Sequence, residues 1–116
     1  MPEFMLLLYA PEVEGAQERE RWAALPVWEE ITESLRKSGT LVANGPLHPS
    51  SSATTVRVRG DETVLTDGPF ATTKEMLAGF YLLDCADLDE ALRHAARLPT
   101  ARYGSVEVRP LRRSAP

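Results

Sequence analysis

Asp67 and His48 are the residues of this chain best suited to moving a proton near neutrality. Asp67 lies in the run Thr66-Asp67-Gly68-Pro69-Phe70. Asp-Gly and Gly-Pro are both turn dipeptides, and a turn that only reversed the chain would not need a bulky aromatic directly after it. The run reads as a carboxylate held on a rigid loop, with Pro69 and Phe70 fixing that loop. Such a carboxylate can act as a general base, or orient a histidine or a water. The plainer reading is an aspartate that bonds backbone N–H groups of its own turn. His48 follows Gly45-Pro46-Leu47. Its imidazole can shuttle protons if its strand ends beside the loop of Asp67; otherwise it is a surface histidine. His94, on the last helix, reads as solvent-facing.

Tyr9, Trp28, Phe70 and Lys74 are the candidates to bind a substrate. The Tyr9 hydroxyl falls at the end of a strand, where it can line a pocket or serve core packing. Trp22 and Trp28 read first as packing or dimer contacts on a helix. Lys74 and Glu75 offer an anion contact and a second carboxylate at a helix start, or simple capping and a solvated lysine. Two distant histidines and one cysteine are a thin supply for zinc, and Cys85 reads as a small buried hydrophobe. No phosphate loop, dinucleotide glycine pattern or Gly-x-Ser-x-Gly elbow occurs. The expectation is a chain without metal or cofactor.

The elements that must position these residues follow from periodicity. Residues 4–9, Phe-Met-Leu-Leu-Leu-Tyr, form a short apolar run suited to a strand buried on both faces. Residues 16–38 read as helix, with Ala24, Trp28, Ile31 and Leu35 at helical spacing and Gly39 as its cap. Pro26 removes one backbone hydrogen bond, so a kink or a broken first half is expected there. Residues 41–44 make a second strand, and 54–59 with 63–66 make a hairpin around Gly60-Asp61. Thr72 and Glu75 have capping-box spacing, which predicts a short helical turn. A strand at 79–85 follows, then a helix capped by Asp87 with Glu90, stopped at Pro99, and a last strand over 104–110.

The order is β-α-β, a hairpin, then β-α-β. Without the hairpin this is a ferredoxin-like split βαβ arrangement of the α+β class, in one domain over residues 1–116, with 110–116 as a tail. Two helices cover only one face of such a sheet. Phe4, Leu6 and Leu8 point one way, and Met5, Leu7 and Tyr9 the other. The uncovered apolar face predicts a homodimer with its two sheets packed together. The formal net charge of −4 argues against a direct nucleic-acid binder. Arg109, Arg112 and Arg113 read as a solvated tail. A single cysteine fits a reducing cytosol, and no apolar run or leader predicts a membrane span or a signal peptide.

Taken together, Thr66 to Phe70, Thr73-Lys74-Glu75 and Gly79-Phe80-Tyr81-Leu82 resemble the DGPF branch of the YCII-related family. The resemblance extends to Met5 through Tyr9, Ala53 through Val58, Asp87 through Leu92 and Gly104 through Pro110, nearly the whole chain in order. It implies a ferredoxin-like protomer in a dimeric α+β barrel. It also implies association with alternative sigma factors of the extracytoplasmic-function type, and, in some members, catalysis by a His-Asp pair. In those members the histidine lies on the first helix. Aligned on Asn44-Gly45-Pro46, that position falls close to Trp28, which cannot exchange a proton, so the pair does not carry over intact.

Two functions follow as expectations. One is a small cofactor-independent enzyme, with Asp67 and His48 sharing proton transfer in a pocket lined by Tyr9, Trp28 and Phe70. The other is a non-catalytic ligand-binding or regulatory partner, which the resemblance associates with a sigma factor.

Overall fold

The computed structural model describes residues 1–113. The elements run β1 (Glu3–Ala10), α1 (Ala16–Ala23), α2 (Leu25–Lys37), β2 (Leu41–Pro46), β3 (Thr54–Arg59), β4 (Glu62–Asp67), β5 (Met76–Asp84), α3 (Leu88–Arg97), α4 (Thr100–Tyr103) and β6 (Ser105–Pro110). Four strands form one antiparallel sheet in the order β2-β5-β1-β6. β5 separates β1 from β2, and β1 separates β5 from β6, so both βαβ units are split. This is the expected α+β, ferredoxin-like arrangement, and β3 and β4 form the expected hairpin as a separate two-stranded sheet.

The core lies between the sheet and the helices. Phe4, Leu6 and Leu8 of β1, with Tyr81 and Leu83 of β5, meet Ile31 and Leu35 of α2 and Ala91 and Ala95 of α3. Burying each large side chain contributes about 1.5–3 kcal/mol. The Tyr81 hydroxyl, carried into this layer, is satisfied by Thr32 Oγ1 at 2.7 Å, and its ring stacks on Trp28 with centroids 6.3 Å apart.

The first helical region breaks at Ala24, with Pro26 in the first turn of α2, where its missing N–H costs nothing. α1 buries no residue. It is held by Arg21, which donates to the Pro11 carbonyl at 2.7 Å and lies 4.2 Å over the Tyr103 ring. Trp22 does not pack inside the protomer; it is largely exposed. Asp87 caps α3 as expected, accepting from the Glu90 N–H at 2.9 Å.

Two boundaries differ from expectation. The short helical turn at Thr72 to Glu75 does not form: Thr73 Oγ1 donates to the Glu75 carbonyl at 2.5 Å and the segment stays irregular. β5 then begins at Met76, earlier than the apolar run suggests, because the end of β1 recruits it. A register shift after Leu8 pairs Tyr9 with Leu77 and Ala10 with Met76.

The other sheet face carries Met5, Leu7, Tyr9, Phe80 and Leu82, as the β1–β5 register dictates. Among the described residues no helix crosses it, and the molecule measures 47 × 46 × 20 Å. Its radius of gyration is 16.2 Å, against about 13 Å for a compact chain of this length. Val56, Val58 and Leu65 share one hairpin face by register and are 61%, 60% and 68% exposed.

Candidate functional site

The Thr66 to Phe70 loop is shaped by its backbone. Asp67 closes β4 opposite Thr54. The Gly68 N–H donates to the Ala53 carbonyl at 2.7 Å, and the Gly68 carbonyl accepts from Thr55 Oγ1 at 2.8 Å. Gly68 has φ +96°, a conformation that side chains with a Cβ resist. Asp67 is exposed, and among the described residues its carboxylate takes no part in shaping the turn. Phe70 is 79% exposed. It therefore does not fix the loop from within the protomer, contrary to the sequence expectation. Lys74 is also exposed.

His48 stands just beyond β2, where the Leu47 N–H still donates to the Ala78 carbonyl at 2.9 Å. Among the described residues, His48 and Asp67 share neither a hydrogen bond nor an ion pair within 4.0 Å. Trp28 lies on the helix side of the sheet against Tyr81, whereas Tyr9 faces the uncovered side. One protomer thus does not bring Tyr9, Trp28 and Phe70 into one pocket.

Tyr9 does line a concavity. Together with Thr73, Glu75, Ser105, Val106 and Glu107 it bounds a depression of about 460 Å³. Three chain segments converge there: the end of β1, the irregular stretch before β5, and the start of β6. Ser105 Oγ donates to Glu75 Oε1 at 2.8 Å. Glu107 engages Arg109 and holds that guanidinium above its ordinary pKa. Gly104 makes the convergence possible, since a Cβ on it would stand 2.1 Å from the Tyr9 carbonyl oxygen. The site presents two carboxylates and three hydroxyls, a lining suited to hydrogen-bond donors and amines. A larger depression, about 610 Å³, lies on α2 between Glu30, Glu33, Ser34, Lys37 and Ser38; all its residues come from one helix region and no chemistry converges.

Sequence reasoning weighed Glu75 only as a helix-start carboxylate and passed over Ser105 and Glu107. Their signal is non-local, arising from the β1–β6 pairing of Tyr9 with Ser105.

A second cluster lies at the far end of β5. Cys85 is fully buried, and its thiol is pushed up to about 12, chiefly by burial and further by Glu90. Glu90 Oε1 accepts from the Ala86 N–H at 3.3 Å; that bond holds the Glu90 carboxyl below its ordinary pKa. Its other oxygen lies 3.4 Å from His94 Nε2. The His94 Nδ1 is buried without a hydrogen-bond partner, so His94 is not the solvent-facing residue that helix position suggested.

The split sheet with an inserted hairpin and a concavity at Tyr9 on its uncovered face defines an α+β protein of the ferredoxin-like type. The model of the YCII-related domain matches residues 3–114, and the chain belongs to that family. The resemblance read from the Thr66 to Phe70 run and the segments around it is thereby borne out at family level. Over 77 residues, 65% of this chain, it is 52% identical to an uncharacterized protein of Rhizobium meliloti (strain 1021), and the match spans 62% of that protein's length. Among the described residues no helix is long and apolar enough to cross a membrane.

Proposed function

We propose that the protein is a homodimer that binds a small molecule bearing hydrogen-bond donors, such as an amine or a polyol, on the uncovered sheet face. The observation that carries this reading is the convergence of Tyr9, Glu75, Ser105 and Glu107 from three chain segments at the edge of an apolar, helix-free surface. Glu75 is the proton acceptor in this reading, oriented by the Ser105 hydroxyl. The second copy closes the site. It covers Met5, Leu7, Phe80 and Leu82, and with them the apolar hairpin face. Asp67 shares that hairpin face with Val56 and Leu65, so the second copy covers it as well. Asp67 then serves as the second acid–base group, with His48 as its partner only where the assembly brings the two together.

The test is ligand capture by native mass spectrometry from a panel of small amines and polyols. Binding should survive Lys74→Ala and fall by about tenfold or more with Glu75→Gln, the loss of a charge-assisted hydrogen bond. Binding indifferent to Glu75→Gln and Tyr9→Phe removes the site. Loss with Asp67→Asn alone shifts the chemistry to the hairpin loop.

The exposed Phe70 favours a second reading, a non-catalytic contact with another protein. A sigma-factor partner is the form of that reading drawn from family resemblance. Capture of such a partner that is lost in Phe70→Ala and unchanged in Asp67→Asn supports it.

A further inference from the structure

The Cys85 cluster lies at the opposite end of β5 from the Tyr9 depression, and the proposed small-molecule site makes no use of it. We infer that Cys85, Glu90 and His94 form a binding site for a soft divalent cation, zinc by its donor set. The chain's one thiol, one of its two imidazoles and a carboxylate each offer a ligand atom, all within 4.8 Å of one another. A tetrahedral zinc with bonds of about 2.0–2.3 Å holds its donors roughly 3.3–3.7 Å apart. Closing the remaining distance takes about an ångström of side-chain rotation, available because Glu90 and His94 sit four residues apart on one helix face.

The fold supplies each donor for a separate reason. Cys85 is fixed by the end of β5 and is wholly buried. Glu90 is anchored by the Ala86 N–H through one oxygen, which leaves the other directed at His94. His94 turns its Nε2 toward that oxygen, 3.4 Å away, and its place four residues on from Glu90 keeps the imidazole on the same helix face. The Glu90 and His94 side chains are 25% and 21% exposed, so a cation has an entrance on that side, and a water completes the fourth position. A thiolate, a carboxylate and a neutral imidazole together carry two negative charges, which neutralise the ion. The Cys85 S–H proton passes to solvent as the sulfur–metal bond forms, and no redox partner is needed.

The experiment is titration of the chelator-treated full chain with cobalt(II), followed by displacement with zinc(II). We expect one equivalent per chain, with a thiolate-to-cobalt charge-transfer band in the near ultraviolet that zinc abolishes. Cys85→Ser should erase the band, and His94→Gln should weaken cobalt binding by about tenfold or more. Glu90→Gln keeps an acceptor for the Ala86 N–H and should weaken binding without unfolding α3. Should Cys85→Ser fail to fold, the band in the parent and its response to His94→Gln decide alone. Absence of the band at one equivalent overturns the site, as does cobalt binding equal in the parent and in His94→Gln.

Discussion

β1 is paired on both sides, by β5 and β6, and β4 on one side only, by β3, and their surroundings differ as much. Every second residue of β1 is buried, from Phe4 to Ala10, whereas no residue of β4 is buried at all. Backbone pairing alone leaves a two-stranded ribbon marginal in water. What holds β1 is the helix layer beneath it; the hairpin has no such layer within the protomer. The contrast teaches that the protomer has one unit with a buried core, the four-stranded sheet with its helices, and one appendage whose apolar face stays exposed.

The sharpest way to break this comparison is a pair of truncations. Leu83→Ala empties a fully buried site and should cost about 3–5 kcal/mol in chemical denaturation. Leu65→Ala should change protomer stability by less than about 0.5 kcal/mol, as exposed positions do. In sedimentation velocity, however, it should weaken dimer formation by about tenfold, or ~1.4 kcal/mol. A monomer at micromolar concentration in the parent protein ends the dimer reading.

Gly104→Ala should be next in size. Its new Cβ meets backbone at 2.1 Å and cannot be relieved by a side-chain rotation, so a loss of about 2–3 kcal/mol is expected, together with loss of ligand at the Tyr9 depression. Gly68→Ala asks an alanine to hold φ +96° and should cost about 1 kcal/mol, felt in the hairpin and not in the core. Hydrogen exchange of β3 and β4 against β1 and β5 separates the two outcomes.

The smallest effect is set by pH. Glu12 accepts from Ser50 Oγ at 2.5 Å and from the Ser50 N–H at 2.7 Å. The hydroxyl first, and the N–H second, hold its carboxyl below the ordinary carboxylate range. A depressed folded pKa means that this contact stabilises the protein above the unfolded value and is lost as pH falls through the folded one. Melting curves of the parent and Glu12→Gln, compared from neutrality down through the carboxylate range, should therefore converge at low pH. Curves that stay parallel contradict the linkage. The group is exposed, so the difference is small.

Much of the fold was legible because its signals are local. The apolar runs at Phe4 to Tyr9 and Gly79 to Cys85, the Asp87–Glu90 cap and the disruptive Pro26 each act within a few residues. The Thr72–Glu75 spacing misled because another interaction won: Thr73 bonds the Glu75 carbonyl and Ser105 takes the Glu75 side chain. The sites were less legible for the same reason. Tyr9, Glu75 and Ser105 meet only through strand register. His94 looked like a rim residue because its helix position says nothing of the Cys85 that β5 delivers beside it. Phe70 was expected as an anchor, but it is 79% exposed and does not pack inside the protomer.

The register shift after Leu8 has one further consequence. Leu8 pairs with Gly79 and Tyr9 with Leu77, which leaves Ala78 as a supernumerary residue in β5. The bulge absorbs that extra residue, so Leu77 and Met76 keep their places opposite Tyr9 and Ala10. Deleting Ala78 would restore a regular ladder with the same partners on the same faces, and would remove only the local bend and added twist that the bulge gives the approach to Glu75. Ala78 is thus slack in the strand: one residue can be lost there without re-aiming either end of β5.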